Sequence, residues 1–395
     1  MHKSHLWKLS CGIFLLWNHT DVVADDVIQP YVSASVARDS NLFRYSKDSG
    51  NDEVSDTISR IDAGVAVNYP INRQNLNLRV SVSRNQFQKA EFLNYDGYDW
   101  QSAWNWQVGN AWQGDLGYSG SQMLVSFTQT QADVRDLSTT QSVFANAGYK
   151  LHPDWRIHWG GRWSAVKFES PTNQLSTRDE TSGVLGVDYI SNANNSVGVQ
   201  GQFIETRFPD GEARSTGNVD NGYSQADISS VADWEYGGNS HLRGRLGYTQ
   251  RSYNQLSTRD FKGITGRLTY NWSITGKTSL SGSVWREVGA ASDTISTFAV
   301  TKGSSLNVSW SPTSKIVIGS GVVYQSYDYR GDSGFALGVV DERKDDTSTA
   351  SASLGYSPLQ NIQLSLAGVI EQRDSTRMFV DYSYERITAS IKVDF

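Results

Sequence analysis

The chain has one cysteine, Cys11, among 395 residues, which leaves no material for an intramolecular disulfide or a multi-thiolate metal site. It has seven prolines, and no stretch approaches the 18 consecutive apolar residues of a membrane-spanning helix. The richest apolar run, Ile316 to Tyr324, is interrupted by Gly319, Ser320 and Gly321. Charged residues make up 19%, below the roughly 25% of soluble globular domains. Positive charge is not in excess: 35 Lys and Arg stand against 41 Asp and Glu, a net −6, so no basic face for nucleic acid is indicated. Helical periodicity is missing as well. What the chain has in quantity is glycine (35) and aromatic residues (12%, with 13 Trp and 19 Tyr).

The first 24 residues have the layout of a secretory signal. Lys3 and Lys8 precede an apolar run from Leu9 to Trp17, and Val22-Val23-Ala24 supplies a small-residue cleavage site. Cleavage near Ala24 removes Cys11 with the leader. Residues 25–395 are then expected to form one unit, since barrels run long as single domains.

Beyond the leader, apolar and polar residues alternate strictly. Ile61, Ala63, Val65, Val67 and Tyr69 share one strand face, with Arg60, Asp62, Gly64, Ala66 and Asn68 on the other. Trp155, Ile157, Trp159 and Trp163 oppose Arg156, His158 and Arg162, and Ile228, Ala232, Trp234 and Tyr236 oppose Asp227, Ser229, Asp233 and Glu235. About eighteen such segments follow one another, ending in Ile387, Ala389, Ile391, Val393 and Phe395. Parity slips near Gly120–Ser121 and Glu385–Arg386 suggest bulges.

Short turns are predicted at Pro70–Arg73, His152–Asp154, Gly237–Ser240, Thr275–Lys277, Ser311–Thr313 and Ser357–Leu359. Longer polar loops lie between them, at Asp39–Asp56, Ser170–Asp179, Pro209–Asn221, Asn254–Asp260 and Arg330–Asp346. The last, with Phe335-Ala336-Leu337 in a charged frame, is a candidate plug or partner contact. The heptapeptide Asn-Gln-Leu-Ser-Thr-Arg-Asp occurs at 173–179 and again at 254–260, and carries no evident chemistry.

A soluble sandwich would turn its apolar faces inward, whereas a transmembrane barrel turns them to lipid around a polar lumen. Several charges per strand pair, Trp and Tyr near the ends of apolar faces, and short turns alternating with long loops favour the barrel. The fold class expected is therefore all-β: an antiparallel up-and-down outer-membrane barrel of about eighteen strands. Its long loops would be extracellular and its short turns periplasmic, in the outer membrane of a Gram-negative cell with that membrane's lipids as partners.

After the first strand comes Arg38-Asp39-Ser40-Asn41-Leu42-Phe43-Arg44. This resembles the Asp-x-Asn-Leu-Phe-Arg element of a β-barrel porin family that includes the exosortase/PEP-CTERM-associated polysaccharide-biosynthesis outer-membrane proteins (EpsL type). Ser40 stands where an acidic residue is common. The terminal Phe395 is similar to the insertion signal of outer-membrane barrels. The resemblance implies a role in making or exporting an exopolysaccharide, with polysaccharide and other export components as partners, and it supplies no catalytic residues.

Chemistry is sparse. His152 and His241 fall at predicted turns and His158 sits alone on a lumen face, so no triad or zinc site is suggested, and the chain is not expected to be an enzyme. The acidic pairs Asp341-Glu342 and Asp345-Asp346 lack a calcium-loop pattern, and no phosphate-binding loop is present, so no cofactor or metal is expected. The pore-lining candidates are Arg60, Arg79, Arg156, Arg162, Arg243, Arg245, Arg251 and Arg267. They are offset by Asp62, Asp99, Asp188, Asp227, Asp233 and Glu235. They make either a cross-strand charge ladder or a path for anionic sugars, with Arg243–Arg267 the first place to look. The function expected from the resemblance is passive passage of a hydrated polymer. The alternative is a general or solute-specific diffusion porin, and a barrel-embedded hydrolase or purely structural component is a third class.

Overall fold

The computed structural model describes residues 27–128, 131, 133–210, 212–214, 217–255, 257–290, 296–332 and 343–395. The signal segment and the apolar centre of the 330–346 loop lie outside them. The chain forms β1 (Ile28–Asp39), β2 (Asp56–Ile71), β3 (Gln74–Phe87), β4 (Tyr95–Val108), β5 (Trp112–Leu124), β6 (Leu137–His152), β7 (Trp155–Phe168), β8 (Arg178–Ile190) and β9 (Ser196–Arg207). A small hairpin follows, β10 (Glu212–Arg214) with β11 (Gly217–Val219). The wall resumes with β12 (Tyr223–Tyr236), β13 (Ser240–Tyr253), β14 (Phe261–Thr275), β15 (Thr278–Ala290) and β16 (Ser296–Thr313). It ends with β17 (Ile316–Asp332), β18 (Lys344–Leu359), β19 (Ile362–Ser375) and β20 (Tyr382–Asp394).

Eighteen of these strands make one sheet in which each strand pairs antiparallel with its sequence neighbours, β9 passing directly to β12. Because β1 pairs with both β2 and β20, the sheet closes. This is the up-and-down barrel expected from the sequence. Closure removes the sheet edges, which lipid would otherwise leave without hydrogen-bond partners.

Which face looks outward follows from exposure. Ile61, Val82, Ile228, Leu246, Ile264 and Ile387 are each 60–65% exposed, although all six are large and apolar. Their polar neighbours in sequence, such as Asp62, Ser81, Asp227 and Ser229, are buried or turned to the lumen. Apolar side chains therefore coat the outside. A lower aromatic belt (Tyr69, Trp155, Tyr189, Trp234, Tyr236, Trp272, Trp310, Tyr356) lies at the short-turn end, and Tyr98, Trp163, Tyr248 and Tyr324 form an upper one. From Trp155 to Trp163 on β7 is eight residues. That is ~26 Å of strand, or ~20 Å along the membrane normal at a tilt near 40°. Strands of 12–18 residues exceed the ~10 needed to span, so the wall continues past the upper belt.

Short turns and long connections alternate as expected, with two local corrections. The turns predicted at Ser311–Thr313 and Ser357–Leu359 fall at Ser314-Lys315 and Gln360-Asn361 instead. Pro312 and Pro358 lie in strand ends where the register shifts between Trp310 and Thr313 and between Tyr356 and Leu359, so neither removes a ladder hydrogen bond. Lys277 and Lys315 donate from Nζ to the Pro312 and Pro358 carbonyls at 3.0 and 2.9 Å. In the Gly237-Gly238 turn both residues have positive φ (63° and 73°), the mirror-image geometry that matches strand twist. The bulges expected at Gly120–Ser121 and Glu385–Arg386 are absent. Both ladders run through those residues without a shift and parity is kept: Ser121 and Arg386 stand on the lumen side with Asp99 and Asp39, and Gly120 and Glu385 share the outer face above the apolar band.

The outward face predicts a sharp asymmetry. Leu246→Arg should destabilise the detergent-folded barrel by about 2–4 kcal/mol. Ser305→Arg, on the lumen side, should change it by less than about 0.5 kcal/mol. Urea titration followed by heat-modifiable gel mobility checks both.

Candidate functional site: the lumen and its mouth

Period-two alternation sends Arg156, His158 and Arg162 of β7 into the lumen beside Asp188 of β8. Asp188 accepts Arg156 Nε and Nη2 at 2.9 and 2.6 Å and meets His158 Nδ1 at 2.9 Å. The same group recurs on the β12–β13 pair, three barrel strands on. Asp233 of β12 meets His241 Nε2 at 2.6 Å and accepts Arg243 Nε and Nη2 at 3.2 and 3.0 Å. In each, an Asp faces an Arg directly across the strand pair, and a His two residues away completes the bracket. His158 is thus not alone, as the sequence suggested, and His241 leaves its turn to face the lumen. The pairing is invisible to linear spacing because its partners are 30 and 8 residues apart. No nucleophile is placed against either His among these contacts.

Higher on the same wall, Arg267 donates to Glu287 at 3.1 and 2.8 Å and lies over the Trp285 ring at 4.7 Å, while Arg245 stands 3.9 Å from the same carboxylate. Arg251 binds Gln225 Oε1 at 2.9 and 2.8 Å, and Gln225 in turn donates to Asp227 at 2.8 Å. Asp227 also accepts the Thr249 hydroxyl. Arg60 pairs with Asp62 at 3.0 Å, and Gln101 lies 3.4 Å from Asp99. All but two of the candidate arginines are therefore held by a carboxylate or, for buried Arg251, by the neutral Gln225 amide.

Two are not. Arg162 has the Ser142 hydroxyl at 3.2 Å and the Phe144 ring at 5.4 Å, and no carboxylate within ion-pairing distance among the described residues. Arg79 is exposed and has no ion pair among them. The cross-strand row through Arg79 runs Gln101, Ser119, Ser142, Ser164, which places both cations in one stretch of wall. The lower wall from β15 to β19 differs: Ser281, Ser283, Ser305, Asn307, Ser351, Ser353 and Ser365 give hydroxyls and an amide, with Gly321 beside them. Among the described residues no cluster of His, Cys, Asp and Glu could hold a metal ion.

At the mouth, the residues 38–44 fold the first long connection. Asp39, fully buried, accepts Arg44 Nη1 and Nη2 at 2.9 Å each, Arg386 Nε at 2.9 Å and the Asn41 N–H at 3.0 Å. Asn41 donates to the carbonyls of Tyr45 and Ser383 at 2.9 and 3.1 Å. Leu42 and Phe43 are buried with Phe87, Ala90, Leu93 and Phe127, Phe43 meeting Phe127 edge-on at 5.0 Å. Arg44, at φ 60°, lies over the Tyr384 ring. The β5–β6 connection reaches over the rim to the same place: Gln131 donates to the Arg44 and Val380 carbonyls, and Arg373 to the Thr128 carbonyl at 2.6 Å. Every side chain of the element that carries meaning is consumed in this packing, so its role is to shape the mouth.

The two copies of the heptapeptide share a contact. Asn173 donates to Asp136 and Asn254 to Asp220, each at 2.7 Å, so both loops latch back onto the preceding long connection.

A closed eighteen-strand barrel, greasy outside and lined with paired charges and hydroxyls, is a β-barrel of the outer-membrane porin type. Residues 240–395 match the family described as "Putative beta-barrel porin 2". A comparison with curated proteins returns no match. Among solved structures, the chain is similar to a BenF-like porin from Pseudomonas fluorescens Pf-5, at TM-score 0.50 and 9% identity over 93% of this chain and 99% of that one. It is also similar to OccAB3 of Acinetobacter baumannii (0.49, 9%, 93% and 99%) and to OpdK of Pseudomonas aeruginosa (0.48, 11%, 93% and 99%). At such identity the likeness is one of fold.

Removing the Asp39 carboxylate leaves two guanidinium groups facing one another at the mouth. Asp39→Ala should cost about 3–5 kcal/mol, as for a broken buried pair. Arg267→Ala, in a solvated pair, should cost about 1 kcal/mol or less. Thermal melts of the folded protein in detergent distinguish the two.

Proposed function

We propose that this chain is a diffusion porin for small hydrophilic solutes, acting in the outer membrane of a Gram-negative cell after residues 1–24 are removed. The observation that carries the reading is the lumen: an eighteen-strand barrel has room for water, and its wall is ionic and hydroxylic. The porin description of the family matched over 240–395 supports it. A solute passing Arg79 and Arg162 meets two uncompensated cations on one side and a serine-rich wall on the other, an arrangement suited to small anions bearing hydroxyls.

A second reading, passage of exopolysaccharide with other export components, rests on the resemblance of residues 38–44. The burial of Asp39 and Asn41–Arg44 in mouth packing weakens it, because the side chains that carry the resemblance are taken up there. Loss of surface polysaccharide on gene deletion, with normal small-solute uptake, would favour this second reading.

Reversal potentials under a salt gradient test the first. At roughly 8 Å in water a unit charge is worth ~0.5 kcal/mol, so Arg79→Gln and Arg162→Gln should each lower anion preference about twofold. Arg267→Gln should change it less, since Glu287 already screens that group. An unchanged preference in the Arg79/Arg162 double variant would remove these residues as the selectivity determinant.

A further inference from the structure

The barrel wall is not sealed evenly. The β14–β15 ladder stops at the pair Gly266–Arg286, although β14 continues to Phe261 and β15 to Ala290. Each strand stays paired on its other side: β13–β14 runs up to Arg251–Phe261 and β15–β16 up to Ala290–Phe298. Two sheet edges therefore face one another with no ladder between them. The split opens just beyond the Gly266 level, and two pairs on, Tyr248 of the upper aromatic belt pairs with Ile264. It thus faces the lipid interface at the long-loop end.

Side chains occupy this seam in place of backbone bonds. Arg286 follows the outward-facing Val284 by two residues, and its neighbours Trp285 and Glu287 contact Arg267 in the lumen. Its guanidinium nevertheless donates to the Ile264 carbonyl and lies 5.9 Å from the Phe261 ring. A Cβ placed on Gly263, on the same side of β14 as the lumen residue Thr265, would lie 3.4 Å from Arg286 Nη1. Arg286 thus threads the wall from outside to inside. From the lumen side, Arg251 reaches the other edge, donating to the Val288 and Gly289 carbonyls at 3.3 and 3.5 Å. Tyr223, Tyr253, Phe261, Phe298 and Val300 pack around these groups, with Val288 against them.

Outside and below the seam lies a groove of about 930 Å³, with Leu246, Ile264, Leu268 and Val284 in its lining and Arg286 at its head. The cross-strand partner of Arg286 on β16 is Lys302. Two like charges directly opposite repel, and neither has a carboxylate partner among the described residues, so an anion between them would be stabilised.

We propose that the β14–β15 seam is a lateral portal between the lumen and the outer leaflet, taking an amphiphile with a single alkyl chain and an anionic carboxylate or phosphate head. The head is held by Arg286 and Lys302 and the chain lies in the groove. Displacing the Arg286 guanidinium from the Ile264 carbonyl frees the seam. This is a function beyond the axial diffusion of small solutes, and the two are measured separately.

The test uses the full mature chain in detergent, with dodecanoate and dodecyl phosphate brominated along the chain as probes. Quenching that disappears in Trp285→Phe reports occupancy beside the seam. Arg286→Ala with Lys302→Ala should weaken this quenching about tenfold or more for both probes, or for one of them if the head is specific. Brominated dodecanol, without the charge, should bind weakly to the parent chain. A second variant, Ile264→Cys with Val288→Cys, bridges the edges when oxidised or joined by a short bifunctional reagent. Cross-linking should stop transfer of the probe into the lumen of reconstituted barrels and leave single-channel conductance intact. Equal quenching in the parent and the Arg286/Lys302 variant, or equal transfer before and after cross-linking, would overturn the proposal. Loss of conductance in the parent chain would instead count against the porin reading alone.

Discussion

In a bilayer, backbone N–H and C=O groups have no water to turn to, and each one left unpaired costs several kcal/mol. That constraint organises this molecule. It forces eighteen strands into one ring closed by β1 against β20, and it sends two strand-end prolines into register shifts where no ladder bond is lost. It also makes the β14–β15 split informative, because carbonyls released there are met by Arg251 and Arg286 rather than left bare.

Once the ring is closed, alternation assigns each side chain to lipid or to water, and the lumen becomes an electrostatic object. Its carboxylates and guanidinium groups largely cancel in cross-strand pairs, which hold a hydrated wall in shape and leave little net field. Two such brackets, His158–Asp188–Arg156 and His241–Asp233–Arg243, repeat one design at the short-turn end. In the proposed porin, selectivity would come from the few charges outside the pairs. Arg79 and Arg162 stand on one side of the wall, against a serine-rich arc on the other. The mouth is shaped where the first and third long connections meet the last through Asp39, Arg44, Gln131 and Arg373.

Alternation was legible in the sequence because its period is a local property of the strand, and it was enough to give the fold class. Which lumen residues meet was not legible. Arg156 and Asp188, or Asp39 and Arg386, are brought together by register, and register depends on turns whose positions shift by two or three residues at Pro312 and Pro358. The resemblance of residues 38–44 pointed to polysaccharide, yet the side chains of Asp39 and Asn41–Arg44 that carry it are buried in the packing of the mouth. The seam left no trace in the alternation, since Phe261 to Thr265 and Glu287 to Ala290 read as ordinary strand.

The central claim is that the ring of strands encloses a continuous path of water across the bilayer. Single-channel recording of the purified chain in a planar membrane tests it directly. The account predicts discrete current steps of uniform size that scale with bulk electrolyte concentration. Electrical silence from barrels shown to be folded and inserted, by resistance to protease and by heat-modifiable mobility, would contradict it.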